Sequence, residues 1–169
     1  GTIGLLSLVC ARKRGAGQII VTDRSEHRLE IARKLGADIV VNIAEQDPVV
    51  VIREATDGLG ADSVIEAVGA TPAVKQSLLV ARNGGNVTWI GNSAPEVEIN
   101  MQQIVTRELT LRGVYGFDGE FAKSIEFIRR STDFDVLSLI EHTAALEDGP
   151  QLIHDLAKGM DAVKVMLKP

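Results

Sequence analysis

Gly1 and Gly4 open an apolar run, and Asp23 closes the next short apolar run. Each residue type has a task it alone does well. The N-terminus of a helix offers unpaired N–H groups and the positive end of a dipole, which suits a phosphate. A side chain at position 1 would keep the backbone away from such a group, and one at position 4 would push the helix off a neighbouring strand. A carboxylate at position 23 can accept from both hydroxyls of a ribose while repelling a 2′-phosphate. Together they spell the second half of a βαβ unit that binds a dinucleotide. The bland alternatives are a tight turn with no ligand for the glycines and an ordinary cap or turn carboxylate for Asp23. Arg24 follows directly and is of a type that can receive a 2′-phosphate; Arg28, one turn into the next helix, either reaches the ribose or stays solvated. Asp23 outweighs both arginines and favours NAD over NADP.

The elements that must position these residues follow from periodicity. Residues 3–14 read as a helix, apolar on most sides and basic at its end, to be buried under a sheet. Cys10 sits in that apolar run and reads as core packing rather than a metal ligand. Residues 18–22 form a buried strand, Ser25 caps the next helix, and residues 39–41 form another strand. Asp47-Pro48 and Thr71-Pro72 are cap-then-proline starts. Residues 62–67 and 86–90 are strands, Asn100 with Gln103 is a capping box, and residues 109–115 alternate like a sheet edge. Phe121, Ile125 and Ile128 line one helix face. A last helix covers residues 146–157, with Pro150 as its alternative start, and a last strand residues 163–167. Alternation of near-continuous apolar strands with helices gives an α/β fold: a doubly wound parallel sheet of Rossmann type, lacking its first strand. The strand ends at Asp23, Asn42, residues 66–69, 90–92 and 114–116 are the expected cleft. Because no strand and no earlier glycine precede Gly1, the expectation is a piece of a larger protein.

Composition bounds the partners. A net charge of −5 gives no basic footprint for nucleic acid, and 45% hydrophobic with 24% charged residues describes a globular protein. No apolar run reaches membrane-spanning length. One cysteine excludes an internal disulfide framework and fits a reducing compartment, hence a cytoplasmic location. His27, His142 and His154 are scattered without ligand spacing. Trp89 reads as strand core. Methyltransferases that use S-adenosylmethionine share the glycine turn and the acidic strand end, so the later strands must separate the classes.

Those strands carry a resemblance. Val21-Thr22-Asp23-Arg24-Ser25, Arg33-Lys34-Leu35-Gly36-Ala37-Asp38, Gly60-Ala61-Asp62, Glu66-Ala67-Val68-Gly69, Gly84-Gly85-Asn86-Val87, Arg107-Glu108-Leu109 and the terminal Lys164-Val165-Met166-Leu167 occur in the order seen in zinc-type medium-chain dehydrogenases. The chain resembles the alcohol and polyol branch, with sorbitol, threonine and galactitol-phosphate dehydrogenases, over essentially its whole length. The resemblance implies an NAD-binding domain over residues 1–140 and a segment, residues 141–169, that returns to a catalytic domain not present in this chain. Gly1, Thr2, Ile3 and Gly4 keep the phosphate turn of the residue reading, and the resemblance assigns Asp23 and Arg28 to the adenosine side, with Arg24 beside them. Ala67, Val68, Gly69, Ile90, Gly91 and Asn92 flank the nicotinamide, and Val114 and Tyr115 lie in the loop after the last sheet strand. The cofactor is NAD; zinc belongs to the catalytic domain, so neither a catalytic residue nor a metal ligand is expected here, and the chain alone is expected to be inactive. An alcohol or polyol would be the whole protein's substrate. The edge strand at residues 109–115 implies a homodimer. Residues 115–117 lack the arginine some polyol enzymes carry there, which leaves the substrate subclass open. The competing readings are a stand-alone dinucleotide-binding or dimerisation module and, behind it, a methyltransferase.

Overall fold

The computed structural model describes residues 1–117, 119–132 and 134–169. Its first helix, α1 (Thr2–Lys13), ends on Arg12 and Lys13, whose charges suit the negative pole of the helix. β1 (Ile20–Asp23) leads through a Ser25 cap into α2 (Glu26–Lys34), the Ser25 hydroxyl accepting from the Arg28 amide at 3.2 Å. β2 (Ile39–Asn42) follows, then α3 (Pro48–Ala55), whose Asp47 cap accepts from the Val49 amide at 2.8 Å. β3 (Ala61–Glu66) precedes α4 (Thr71–Val80). Here the expected Thr71 cap does not form. Ala70 takes the cap position and its carbonyl accepts from the Val74 amide at 3.0 Å, which leaves Thr71 inside the first turn. β4 (Ala81–Trp89), α5 (Met101–Val105), β5 (Thr110–Gly113) and α6 (Glu120–Arg130) complete the expected alternation. Beyond them lie β6 (Ile140–Ala145), α7 (Gly149–Ala157) and β7 (Lys164–Lys168).

Every strand pairing is parallel, but the strands form three sheets rather than one: β1 with β2, β3 with β4 and β5, and β6 with β7. Among the described residues β1 pairs only with β2 and β3 only with β4. This is the Rossmann order with no strand between β1 and β3, as the fold expectation has it. Two departures appear at α1. Only Leu5, Leu8 and Val9 of that helix are buried, while Ile3 is 51% exposed. Cys10 is exposed as well, not packed in a core. The buried residues of α1 lie on one face only, so an apolar run does not bury all round.

Two clusters hold the elements together. Leu5, Leu8, Ala32, Leu139 and Val163 are buried together, with Ile19, Val21, Val40 and Phe134 against them. This cluster ties α1 and α2 to the C-terminal segment. Leu78, Ala81, Val87 and Leu109 form the other, flanked by Val64, Trp89 and Leu111. Each fully buried leucine contributes about 1.5–3 kcal/mol. Trp89 is strand packing, its indole N–H donating to the Ser77 hydroxyl at 3.0 Å. The apolar face of α6 forms as expected, yet Phe121, Ile125 and Ile128 remain 69%, 54% and 44% exposed.

Candidate cofactor site

The turn after β1 is built from Asp23, Ser25 and Arg28. Asp23 Oδ1 accepts from the Ser25 amide at 3.0 Å, which sets the chain's entry into α2. Its Oδ2 is left facing the Gly1 amine at 3.4 Å and Arg28 Nη1 at 4.0 Å. Asp23 is thus a turn carboxylate through one oxygen, while the other accepts from the Gly1 amine and faces Arg28. Arg24 is exposed and makes no hydrogen bond or ion pair among the described residues. Arg28 lies between Asp23 and Asp161, its Nε 3.4 Å from Asp161 Oδ1.

α1 begins beside this carboxylate. The Leu5 amide is the first to bond back along the helix, to the Gly1 carbonyl at 3.1 Å, so the amides of Thr2, Ile3 and Gly4 lack intrahelical acceptors. A β-carbon added at Gly1 or at Gly4 would meet nothing within 4 Å. For Gly1 this is the open space that an approaching phosphate requires. For Gly4 it corrects the expectation of tight strand packing: among the described residues no strand comes within 4 Å of its β-carbon position. The Thr2 hydroxyl donates to the Val163 carbonyl at 2.6 Å, which brings the C-terminal segment to the start of α1.

At the ends of β3 and β4 a second group of expected residues comes together. Glu66 is 5% exposed, and its Oε1 accepts from the amides of Val68 at 2.7 Å and Gly69 at 2.8 Å. Its Oε2 accepts from the Gly69 amide as well, at 3.0 Å. Its main-chain carbonyl accepts from Ile90 at 2.8 Å and Gly91 at 3.1 Å. One residue therefore fastens both turns, residues 67–69 and 90–92. The Ser93 hydroxyl donates to the Val68 carbonyl, and the Ala94 amide to the Gly69 carbonyl at 2.9 Å. Gly69 takes φ +75°, and its backbone and that of Gly91 touch directly. The third group is looser. The Val114 amide donates to the Trp89 carbonyl at 2.9 Å, while Val114 is 43% and Tyr115 90% exposed. A cavity of ≈ 430 Å³ lies elsewhere, between α4 and α5, and none of the expected site residues lines it.

Sequence reading missed Glu66 as a loop fastener, although a carboxylate two and three residues before the amides it holds is a local signal. It missed Asp161 for want of any: the residue reaches Ser25 across 136 positions. It also missed Arg107, which donates to the carbonyls of Leu78, at 2.7 Å, and Ala81 and so pins the turn between α4 and β4; burial there lowers its pKa. Free helix amides, open space over Gly1 and a half-free carboxylate at the end of the adjacent strand fit a dinucleotide, the amides for phosphate and the carboxylate for a ribose.

Residues 2–130 match the family described as zinc-binding dehydrogenase. The chain belongs to the zinc-binding dehydrogenases. This dehydrogenase chain is 38% identical to the L-threonine 3-dehydrogenase of Symbiobacterium thermophilum over 117 residues, which is 69% of this chain and 33% of that protein. With the sorbitol dehydrogenase of Bacillus subtilis it shares 33% identity over 171 residues, 100% of this chain and 48% of the relative. Its fold superposes on that of a Sinorhizobium meliloti protein solved with NADP bound, at TM-score 0.87 and 27% identity, covering 100% of this chain and 50% of the other. The chain thus spans about half the length of the relatives it matches end to end. It is the cofactor-binding part of this dehydrogenase family, with the Rossmann-like parallel architecture expected. No helix among the described residues is long and apolar enough to cross a membrane.

Proposed function

We propose that this chain is the coenzyme half of an NAD-dependent, zinc-type alcohol or polyol dehydrogenase that moves hydride from a secondary alcohol to NAD. The observation that carries the choice of NAD is the half-free carboxylate of Asp23. With Oδ1 held by the Ser25 amide, Oδ2 has only the long Gly1 contact at 3.4 Å and Arg28 at 4.0 Å, contacts a ribose hydroxyl can replace. A 2′-phosphate would meet that charge instead. The amides of Thr2, Ile3 and Gly4 take the phosphates, Arg28 and Arg24 border the adenosine, and residues 67–69 and 90–92 shape the nicotinamide end, with Val114 and Tyr115 beyond it. When bound, NAD supplies the hydride acceptor; this chain binds and orients it. Residues 1–140 form the cofactor domain and residues 141–169 the segment that returns to a catalytic domain, where zinc and the substrate pocket reside. The chain by itself then turns over no alcohol, and the protein works in the cytoplasm as a homodimer joined through residues 109–115.

A second reading, a stand-alone module that binds dinucleotide or only dimerises, draws on the exposed edge of β5. Titration of the chain with NADH, NADPH and S-adenosylmethionine separates the dehydrogenase reading from a module that only dimerises and from a methyltransferase. The dehydrogenase reading expects NADH to bind tightest and S-adenosylmethionine not at all. Asp23→Ala should weaken NADH and narrow the gap to NADPH by about tenfold, or ~1.4 kcal/mol. An unchanged preference in that variant would falsify the ribose role.

A further inference from the structure

Asp161 stands in the loop before β7, and it reaches into the turn after β1. Its Oδ2 accepts from the Ser25 hydroxyl at 2.5 Å, and its Oδ1 lies 3.4 Å from Arg28 Nε. The Ser25 hydroxyl has spent its one proton on Asp161, and it also accepts from the Arg28 amide at 3.2 Å. The loop that carries Asp161 is fixed. Ala162 and Val163 are each 8% exposed, the Val163 carbonyl accepts from Thr2, and the Val163 amide donates to Glu141 Oε2 at 2.6 Å. Glu141 Oε1 in turn meets His27 Nε2 at 2.5 Å. A carboxylate held so firmly is part of the turn's electrostatics.

Its effect falls on Arg28. That guanidinium faces Asp23 on one side, with Nη1 4.0 Å from Oδ2, and Asp161 on the other. Its Nε is buried from solvent without a hydrogen-bond partner, so the contact with Asp161 is one of charge, not of a directed bond. Two carboxylates thus share one cation. A phosphate on the ribose would meet both carboxylates, and Arg28 beside them is already engaged twice, which leaves Arg24 as the turn's other cation. A ribose diol brings no charge and donates to carboxylates, so it escapes the penalty.

We propose that Asp161 is a specificity-determining residue, acting with Asp23 to exclude dinucleotides that carry a 2′-phosphate. The proposal rests on the reading that the end of β1 holds the adenosine ribose. It adds that cofactor choice is set partly by the C-terminal segment, outside the turn where such choice is usually sought.

The experiment compares dissociation constants of NADH and NADPH for the unaltered chain, Asp161→Asn and Asp161→Ala, with adenosine 2′,5′-bisphosphate against AMP as a probe of the adenosine half alone. Both variants should tighten NADPH and the bisphosphate by about tenfold while NADH and AMP change by less than about twofold. Added salt should narrow the NADH preference of the unaltered chain more than that of the variants, since the excluded interaction is one of exposed charge. A parallel loss of all four ligands would make Asp161 a mere clasp of the fold and overturn the proposal, as would an unchanged preference. If the unaltered chain takes up neither NADH nor AMP, the ribose reading itself falls and the proposal with it. Those outcomes are distinct.

Discussion

Gly69 and Gly91 cross at backbone contact: a β-carbon on Gly91 would lie 2.0 Å from the Gly69 nitrogen, and one on Gly69 would lie 2.1 Å from the Asn92 nitrogen. The neighbours are main chain, so neither turn can yield by rotating a side chain. Gly91→Ala must part the turns after β3 and β4. It should cost at least about 1–3 kcal/mol, the usual toll of overpacking. Thermal unfolding measures the loss, and the amide resonances of Val68 and Gly69 should move with it. Gly113→Ala is the control, because a β-carbon there meets nothing within 4 Å. Equal melting temperatures for the Gly91 variant and the control would show that the contact is not maintained in solution.

Glu66 makes a related prediction with a different readout. Its carboxylate takes three contacts from two amides and is almost wholly buried. Glu66→Gln keeps the shape but turns one acceptor into a donor that faces N–H groups. Leaving a buried amide unpaired costs about 1–3 kcal/mol. Exchange of the Val68 and Gly69 amides with deuterium should speed up about tenfold or more for each ~1.4 kcal/mol lost locally. Unaltered protection at both amides would remove Glu66 from the role of fastener.

What the sequence disclosed and what it hid divide by range. Ser25, Asp47 and Asn100 act on amides two or three residues away, so their caps were legible in the local pattern. The strand ends were legible because Asp23, Gly69 and Gly91 punctuate apolar runs. Thr71 was misread since Thr-Pro marks a helix start without fixing which residue closes the first turn. β6 was missed because Glu141, His142 and Thr143 interrupt its apolar pattern, and its partner β7 lies beyond a whole helix. Cys10 was misread because its neighbours in the apolar run do not fix which face of α1 turns inward. Asp161 and Thr2 act across the length of the chain, and only the fold brings them to the site.

Asp38 supplies a pH prediction. The Ile19 amide, at 2.6 Å, and Arg12 Nη2, at 2.5 Å, bond the same carboxylate oxygen and hold its pKa below the ordinary value of 3.8. A carboxyl that binds protons less readily when folded adds stability above its unfolded pKa and loses it as pH falls through the lowered folded value. The stabilisation is therefore whole at neutral pH and fades below about pH 4. Asp38→Asn should melt earlier than the unaltered chain at pH 7, with the gap closing toward pH 3. A gap of constant size across that range would show that the charge of Asp38 contributes nothing.

The edge of β5 makes the last prediction, which bears on the proposed dimer. In a parallel strand, successive residues point their amides to opposite edges. The Val114 amide points inward, to Trp89, so the Gly113 amide points outward from the sheet. A proline at 113 removes that outward donor and fixes φ, and its β-carbon meets nothing within 4 Å. Gly113→Pro should therefore leave the melting temperature of a monomer nearly unchanged while weakening pairing through this edge. Light scattering at several concentrations gives the mass. A dimer that dissociates about tenfold more readily in the variant would place the interface at β5. A dimer of unaltered strength would move it elsewhere, with the exposed face of Phe121, Ile125 and Ile128 on α6 the next surface to mutate.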